Sequence, residues 1–230
     1  MIFPSIRLSK KKRIPYFNYL GSAIHPWNLY RVMINSVGWK IYKIGEQYYI
    51  EKGDIKATMD TLYIRKLFNR WGSYVTDYSP PPNYRPKRIL DIGCGQGETM
   101  IVFDVITKCK DFIGVDLNEN TRHYLEINSK LNDWKVEIYN EPFKPEHMVN
   151  DCDFIKIDVE GAESCLTDHE FNIPTVMEVH NEDLMRRFQN KGFRTTRVVN
   201  KSRNVVIMNN FFHLGLVDEI KHPSKTHTRA

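Results

Sequence analysis

Length, composition and charge already exclude several classes of protein. The chain has 230 residues, 41% hydrophobic and 27% charged, so it can bury one substantial core and does not resemble a disordered protein. Its longest apolar runs, such as residues 154–157, fall far short of the roughly 18 residues that a membrane-spanning helix requires. No apolar segment of a secretory signal follows the basic residues 1–13, and we expect a cytoplasmic protein.

The charge is unevenly distributed along the chain. Residues 1–88 hold 16 Lys and Arg against 5 Asp and Glu, a balance of +11, whereas residues 89–230 hold 17 against 23, a balance of −6. A basic front region can bind an anionic partner such as RNA, although a solvated basic surface is the commoner reason for such an excess. The four cysteines form no C-x-x-C pair, so neither a zinc site nor a disulfide framework is predicted.

The first part of the chain predicts a β-hairpin followed by a helix. Two aromatic-rich runs, residues 39–42 and 47–50, flank a turn that contains Gly45. A helical pattern covers about residues 57–71, and the proline-rich run 79–83 then interrupts regular structure. We therefore predict three parts: a basic N-terminal extension with the hairpin and helix (1–80), a main domain (81–216) and a polar tail (217–230).

From residue 88 onward the pattern alternates between strand, turn and helix, which is typical of a parallel sheet. The last two predicted strands flank a polar turn, which favours an antiparallel pair at the end of the sheet. The sequence thus predicts an α/β fold, a Rossmann-like and mostly parallel sheet with an antiparallel C-terminal strand pair, plus a small N-terminal α+β extension. The predicted strands are 88–91, 112–116, 136–139, 154–158, 175–179, 193–199 and 205–209, and the predicted helices are 98–107, 119–131, 161–166 and 181–191.

A glycine-rich turn lies where the first of these strands becomes a helix. Its glycines allow the backbone to pass close beneath a ligand and expose the first N–H groups of the helix to an anionic group. The dinucleotide fingerprint is G-x-G-x-x-G, whereas this turn has G-x-G-x-G directly after an acid. The form resembles motif one of class I methyltransferases, which holds the methionine part of S-adenosylmethionine. The cofactor-binding residues that this implies are Asp91, Gly93, Cys94, Gly95 and Gly97.

Two further turns complete the predicted cofactor site. Asp116 ends the second strand, 25 residues after Asp91, where an acid accepts hydrogen bonds from both ribose hydroxyls. An N-cap for the next helix is its alternative role, and we place the neighbouring Leu117 in the same site. Asn140 and Glu141, just past the third strand, would lie beside the adenine, with a simple turn as the other interpretation.

The most specific string is FIKIDVEGAE at residues 154–163, followed by MEVHN at residues 177–181. Both resemble the FkbM family of methyltransferases, whose hallmark is a K-I-D-V-E-G-A-E run at the fourth strand and an E-x-H ending at the fifth. The resemblance covers roughly residues 88–193 and implies O-methylation of a sugar, polyketide or other small hydroxylated molecule. The chain departs from the family where its second strand ends in Asp116-Leu117 instead of Glu-Pro.

Three side chains at the carboxyl ends of neighbouring strands are candidates for catalysis. His180 is the predicted general base, because an imidazole titrates near neutrality, and Asp158 or Glu160 would orient it or the substrate. Alternatively, Glu160 only favours a helix N-terminus and His180 caps a helix or packs. These groups could also hold Mg or Mn, but the sequence names too few ligands and we expect no metal.

Three functions are compatible with these motifs. The leading prediction is an S-adenosylmethionine-dependent enzyme that methylates a small molecule or glycan. RNA methylation is the second, because the basic N-terminal region could neutralise phosphates. Against it, no RNA-binding module precedes the core, and the fourth strand lacks the Asn-Pro-Pro-Tyr ending typical of exocyclic amine methylation. A non-catalytic cofactor-binding protein is the third, since a glycine turn and a ribose acid require no chemistry.

Overall fold

The computed structural model describes residues 38–44, 47–144, 147 and 151–217, together with two short paired strands, β1 (Asn18–Tyr19) and β2 (Ser22–Ala23). The predicted turn at Gly45, the basic residues 1–13 and all of the predicted polar tail except residue 217 lie outside this part of the chain. None of the helices in the described part is long and apolar enough to cross a membrane.

An antiparallel sheet of three strands precedes the main sheet. Its strands are β3 (Lys40–Ile44), β4 (Gln47–Lys52) and β5 (Ile55–Met59), paired in that order, so the predicted hairpin is confirmed and extended by one strand. Helix α1 (Thr61–Asp77) follows. The predicted helix start at residue 57 is wrong, because residues 57–59 pair with β4 and the N-cap is Asp60, whose carboxylate accepts the N–H groups of Leu62 and Tyr63.

The main sheet has seven strands: β6 (Arg88–Ile92), β7 (Asp111–Val115), β8 (Lys135–Tyr139), β9 (Phe154–Ile157), β10 (Thr175–Val179), β11 (Arg194–Asn200) and β12 (Val205–Asn209). Their order is β11-β12-β10-β9-β6-β7-β8. Strands β6 to β10 are parallel, and β12 runs antiparallel to β10 and β11. This is the mostly parallel α/β sheet with an antiparallel C-terminal strand pair that the sequence predicts, so the predicted fold class is confirmed.

Helices α2 (Glu98–Thr107), α3 (Thr121–Asn132) and α4 (Glu182–Asn190) follow β6, β7 and β10. Residues of α2 and α3 join the apolar cluster on one face of the main sheet, and residues of α4 join the cluster on the other. Helix α4 begins after Asn181, whose side-chain oxygen accepts the N–H of Leu184 at 2.8 Å, and is followed by Gly192 with φ of +85°. The predicted helix at 161–166 is a short 3₁₀ helix, Ala162–Leu166.

Two hydrophobic clusters cover the two faces of the main sheet. One contains Ile89 and Phe154 of the sheet, and the other contains Leu90 and Ile155, because successive strand residues point to opposite faces. The first cluster also includes Trp39, Ile50 and Ile64 from the N-terminal sheet and α1. The N-terminal elements therefore share an apolar core with the main sheet.

A buried amide joins the N-terminal sheet to the glycine-rich turn. The side-chain oxygen of Asn128 in α3 accepts the N–H of Thr58 at 2.7 Å, while its nitrogen donates to the carbonyls of Thr58 at 3.1 Å and Gln96 at 3.2 Å. The Gln96 side chain in turn donates to the Asp60 carboxylate at 2.7 Å and accepts the Asp60 N–H at 2.9 Å. The start of α1 is thereby fixed to the turn.

Candidate active site

The strand order reverses between β6 and β9, and ligands of open α/β sheets bind at such a point, at the carboxyl ends of the strands. Four predicted site residues follow neighbouring strands there: Gly93 after β6, Asp116 after β7, Asp158 after β9 and His180 after β10. The topology therefore brings both predicted groups, for cofactor binding and for catalysis, to one edge of the sheet.

Close backbone approach explains the first glycine of the turn. Gly93 has φ of +74°, and a Cβ at this residue would lie 1.8 Å from the carbonyl oxygen of Asp158. Any side chain there would push apart the ends of β6 and β9. Gly95, with φ of +55°, lies directly beneath the side chains of Glu98 and Tyr63, 2.7 to 2.9 Å from the position of a Cβ.

The backbone N–H groups of the turn face anionic groups, which in this structure belong to the chain itself. Asp116 Oδ2 accepts the N–H of Gly95 at 2.7 Å, and Glu98 Oε2 accepts the N–H of Gln96 at 3.0 Å. Glu98 is the first residue of α2, so its side chain can fold back onto the turn. Burial raises the pKa of Glu98 to about 7. Glu98 is not among the site residues that the sequence predicts.

Asp91 supports the turn from inside the protein. It is fully buried, and its Oδ1 pairs with Lys156 Nζ at 2.9 Å while Oδ2 accepts a hydrogen bond from Thr99. Lys156 Nζ also donates to the carbonyl of Gly93 at 2.8 Å. Burial lowers the pKa of Lys156, but the carboxylates of Asp91 and Asp158 together have the larger effect and raise this pKa above its usual range. The structure thus places Asp91 below the turn and not on its open side.

Cys94 also differs from its predicted placement. Its side chain is buried, and burial raises the pKa of its thiol well above the usual range. Its sulfur would lie 3.0 Å from a Cβ at Gly114, within the core, and its N–H donates to the carbonyl of Val115 at 3.3 Å. A side chain directed into the core leaves only the backbone of Cys94 near the ligand edge.

The structure brings three of the four other predicted cofactor residues together. Asp116 Oδ1 accepts the N–H of Asn118 at 2.7 Å, and the Asn140 side chain donates to the carbonyls of Asp116 at 2.9 Å and Asn118 at 2.8 Å. Leu117 projects its side chain outward and is 68% exposed. Because Asn140 ties the two turns together, Asp116 and Leu117 are held in one orientation.

Glu141 is the exception among these residues. Its carboxylate pairs with Lys144 Nζ at 2.6 Å and with His147 Nε2 at 3.1 Å, both within its own loop. The contacts with Lys144 and His147 lower the pKa of Glu141. Glu141 therefore stabilises the loop after β8, as its alternative turn interpretation anticipates.

Five side chains form what we call the acid–histidine cluster at the ends of β9 and β10. The hydroxyl of Tyr78 lies 3.0 Å from Glu178 Oε2 and 3.2 Å from Asp158 Oδ2. His180 Nδ1 lies 2.5 Å from Oε1 of the fully buried Glu163. The sequence named Asp158 and His180, but it could not indicate Tyr78, which α1 brings from 80 residues away.

The protonation of His180 differs from its prediction. Contacts with the carboxylates of Glu163 and Glu178 raise the pKa of His180 to about 10, so the imidazole is protonated at neutral pH and does not titrate there. The reason is tertiary, because Glu163 reaches the ring from the 3₁₀ helix after β9. A protonated imidazole cannot accept a proton, so His180 in this state is not a general base.

The carboxyl groups of Asp158, Glu178 and Glu160 differ in their surroundings. Burial raises the pKa of Asp158, against the opposing effect of Lys156. Contacts with His180 and Tyr78 hold the pKa of Glu178 below its usual value, although its burial acts in the other direction. The Glu160 side chain is 84% exposed, with its Oε2 3.5 Å from His180 Nε2. Asp158 therefore lies inside the cluster and Glu160 at its rim.

No protein-family model and no curated protein matches this chain. Among solved structures, Aeropyrum pernix fibrillarin with natively bound S-adenosyl-L-methionine is similar at 12% identity over 74% of this chain and 97% of that chain, with a TM-score of 0.47. M. jannaschii TYW2 in complex with AdoMet matches at 14% identity over 75% and 84%, with a TM-score of 0.45. The ribosomal protein L11 methylase of Lactobacillus delbrueckii subsp. bulgaricus matches at 12% identity over 63% and 77%, with a TM-score of 0.43.

Proposed function

We propose that this chain is an S-adenosylmethionine-dependent methyltransferase that acts on a hydroxyl group of a small molecule or sugar. The observation that carries the proposal is the 2.7 Å contact between Asp116 and the N–H of Gly95 at the reversal point of a class I methyltransferase sheet. A nucleoside with an amino-acid tail requires two groups: a carboxylate, here at the end of β7, and a glycine turn, here at the end of β6.

The residues at this edge fit the cofactor chemically. Asp116 offers oxygens for ribose hydroxyls, the exposed Leu117 offers an apolar surface for adenine, and the N–H of Gln96 suits the methionine carboxylate once Glu98 moves away. The bound cofactor would supply a methyl group activated by a positively charged sulfur. Asp91 and Lys156 would keep the turn in place from below.

The acid–histidine cluster provides the acceptor side of the proposed reaction. Methyl transfer to a hydroxyl requires an oriented acceptor and a group that takes its proton. Asp158 suits the second role, because burial raises the pKa of its carboxyl, whereas His180 already carries a proton. We assign His180 to orienting Asp158, Glu178 and the acceptor through its positive charge.

Two sequence strings support a hydroxyl acceptor within this proposal. The run at residues 154–163 and the Glu178-x-His180 ending resemble the FkbM family, and the cluster is built from those same strings. A second candidate is RNA methylation, favoured by the balance of 16 basic against 5 acidic residues in residues 1–88. A cofactor-binding protein without catalysis is the third.

Calorimetric titration of the purified chain with S-adenosylmethionine and S-adenosylhomocysteine tests the proposal. We expect one site per chain, with binding weakened at least tenfold in Asp116→Ala, because the ribose contacts are lost. The matched control is Asp133→Ala, which removes an exposed carboxylate at the end of α3. Absence of uptake by the unaltered chain overturns the proposal. Labelled cofactor and fractionated cell extract then identify the acceptor, and no labelled fraction would favour the non-catalytic alternative.

A further inference from the structure

The acid–histidine cluster contains a set of side chains that suits a metal ion. One ligand atom each from Asp158, Glu178 and His180 lies within 4.8 Å of the other two. Ligand atoms about 2.1 Å from an ion are about 3.0 Å apart at right angles and about 4.2 Å apart when opposite. Nε2 of His180 lies 3.5 Å from Glu178 Oε1, within this range. Small side-chain adjustments would place all three atoms around one ion.

The imidazole is held in the orientation that a metal ligand requires. Glu163 contacts Nδ1 at 2.5 Å from a fully buried position, which leaves Nε2 directed at the carboxylates. Metal-binding histidines are commonly fixed by a carboxylate on their other ring nitrogen. Nε2 itself is buried and has no hydrogen-bond partner among the described residues. Nε2 instead faces the carboxylates of Glu178 and Glu160, each at 3.5 Å, a separation that ligands of one ion can have.

The charges around the cluster also favour a cation. Four carboxylates, from Asp158, Glu160, Glu163 and Glu178, lie around His180. Among the described residues, the cations near the cluster have other partners or lie farther away. Lys156 is paired with Asp91 and Arg197 with Asp77, and the exposed Arg70 of α1 interacts with Glu178 and Asp158 over a longer range. The hydroxyl of Tyr78 contacts Oε2 of Glu178, so Oε1 remains directed at the ring.

We propose that Asp158, Glu178 and His180 bind one divalent cation of the Mn²⁺ or Mg²⁺ type, with Glu163 as the positioning residue for the histidine. Two carboxylates and one imidazole form a mixed O and N ligand set, which favours Mn²⁺ over Mg²⁺. The ion displaces the proton of Nε2, which passes to water. This departs from the expectation from the sequence, which named too few ligands because Glu178 was not placed beside His180.

The role of the ion rests on the proposed function, although its binding does not. The remaining coordination positions would take water or the hydroxyl oxygen of the acceptor. A coordinated hydroxyl loses its proton to water more readily, because the ion stabilises the negative oxygen. With the ion bound, His180 acts as its ligand and no longer as the positively charged orienting group of the ion-free site. Asp158 then holds the ion beside the acceptor instead of taking the proton itself.

Electron paramagnetic resonance with Mn²⁺ tests the site in the full chain, after treatment with EDTA and without cofactor. We expect one saturable Mn²⁺ per chain, displaced by excess Mg²⁺, with spin-echo modulation from a directly bound imidazole nitrogen. Glu178→Gln and His180→Ala should each weaken binding at least tenfold, and His180→Ala should also remove the nitrogen modulation. Glu163→Gln, which touches no ion, should weaken binding about tenfold while the modulation remains.

Two controls keep this test decisive. His169→Ala and Glu170→Gln alter residues outside the cluster and should bind Mn²⁺ as the unaltered chain does, and circular dichroism confirms that each variant is folded. No stoichiometric Mn²⁺ in the unaltered chain overturns the proposal, as does binding that persists in both Glu178→Gln and His180→Ala. Because Mn²⁺ is measured without cofactor, failure here is distinct from failure of S-adenosylmethionine binding in the calorimetric titration.

Discussion

Glu98 illustrates how one buried carboxyl couples the glycine turn to pH. It is 7% exposed, and its carboxylate accepts the N–H of Gln96, a group that the proposed cofactor would use. Burial raises the pKa of Glu98 to about 7 from an ordinary value of 4.5. Between these two values the folded chain binds more protons at this residue than the unfolded chain does. The free energy of unfolding therefore falls as pH rises from about 4.5 to about 7.

Glu98→Gln should flatten this pH dependence. The shift in pKa corresponds to roughly 3 kcal/mol, which is the upper limit of the difference that the substitution can remove. Urea unfolding at several pH values between 4.5 and 7.5 measures it, with the exposed Glu119→Gln as the matched control. An unchanged slope for Glu98→Gln would show that the carboxyl is not desolvated in the folded chain.

The N-terminal sheet and α1 act on the site as one element. Asp60 at the start of α1 is bonded to Gln96 of the turn, and Tyr78 at the end of the same helix reaches Asp158 and Glu178. The helix therefore spans from the proposed cofactor turn to the acid–histidine cluster. Asn128 anchors this arrangement, because it holds Thr58 just before the helix and Gln96 in the turn.

Asn128→Ala tests this anchoring. The substitution leaves the N–H and carbonyl of Thr58 and the carbonyl of Gln96 without their buried partner, and each such group costs roughly 1–3 kcal/mol. Allowing for partial relaxation, we expect a loss of about 3 kcal/mol in the free energy of unfolding, measured with urea. Asn190→Ala at the exposed end of α4 is the control and should change it little. Equal losses in the two variants would contradict the anchoring role.

At the scale of the whole molecule, the asymmetry of charge distinguishes the candidate acceptors. RNA binding through 6 to 10 phosphates would lose roughly 10³- to 10⁵-fold in affinity between 50 and 200 mM salt. Methylation of a small neutral acceptor depends on no such contacts. We therefore expect kcat/KM for the acceptor identified from extract to change less than about threefold over this range. A steep decline, matched by RNA retention on a filter at low salt, would favour RNA methylation.

The sequence by itself determined the α/β class, the order of strands and helices after residue 88 and the glycine turn. Alternation of strand and helix, and a G-x-G-x-G turn, are local signals, so each can be read from neighbouring residues. Strands β6 to β12 lie within one residue of their predicted bounds. The third N-terminal strand was missed, because the residues of β5 suit a strand or a helix until their pairing with β4 is known.

The tertiary structure decided the chemistry of the predicted residues. Asp91 pairs with Lys156 inside the protein, and Glu98 occupies an N–H group of the turn. His180 carries its proton because Glu163 and Glu178 lie beside it. These outcomes depend on which groups meet across the fold and on how much water they lose, and both shift the pKa of a side chain by amounts that its sequence neighbours do not encode.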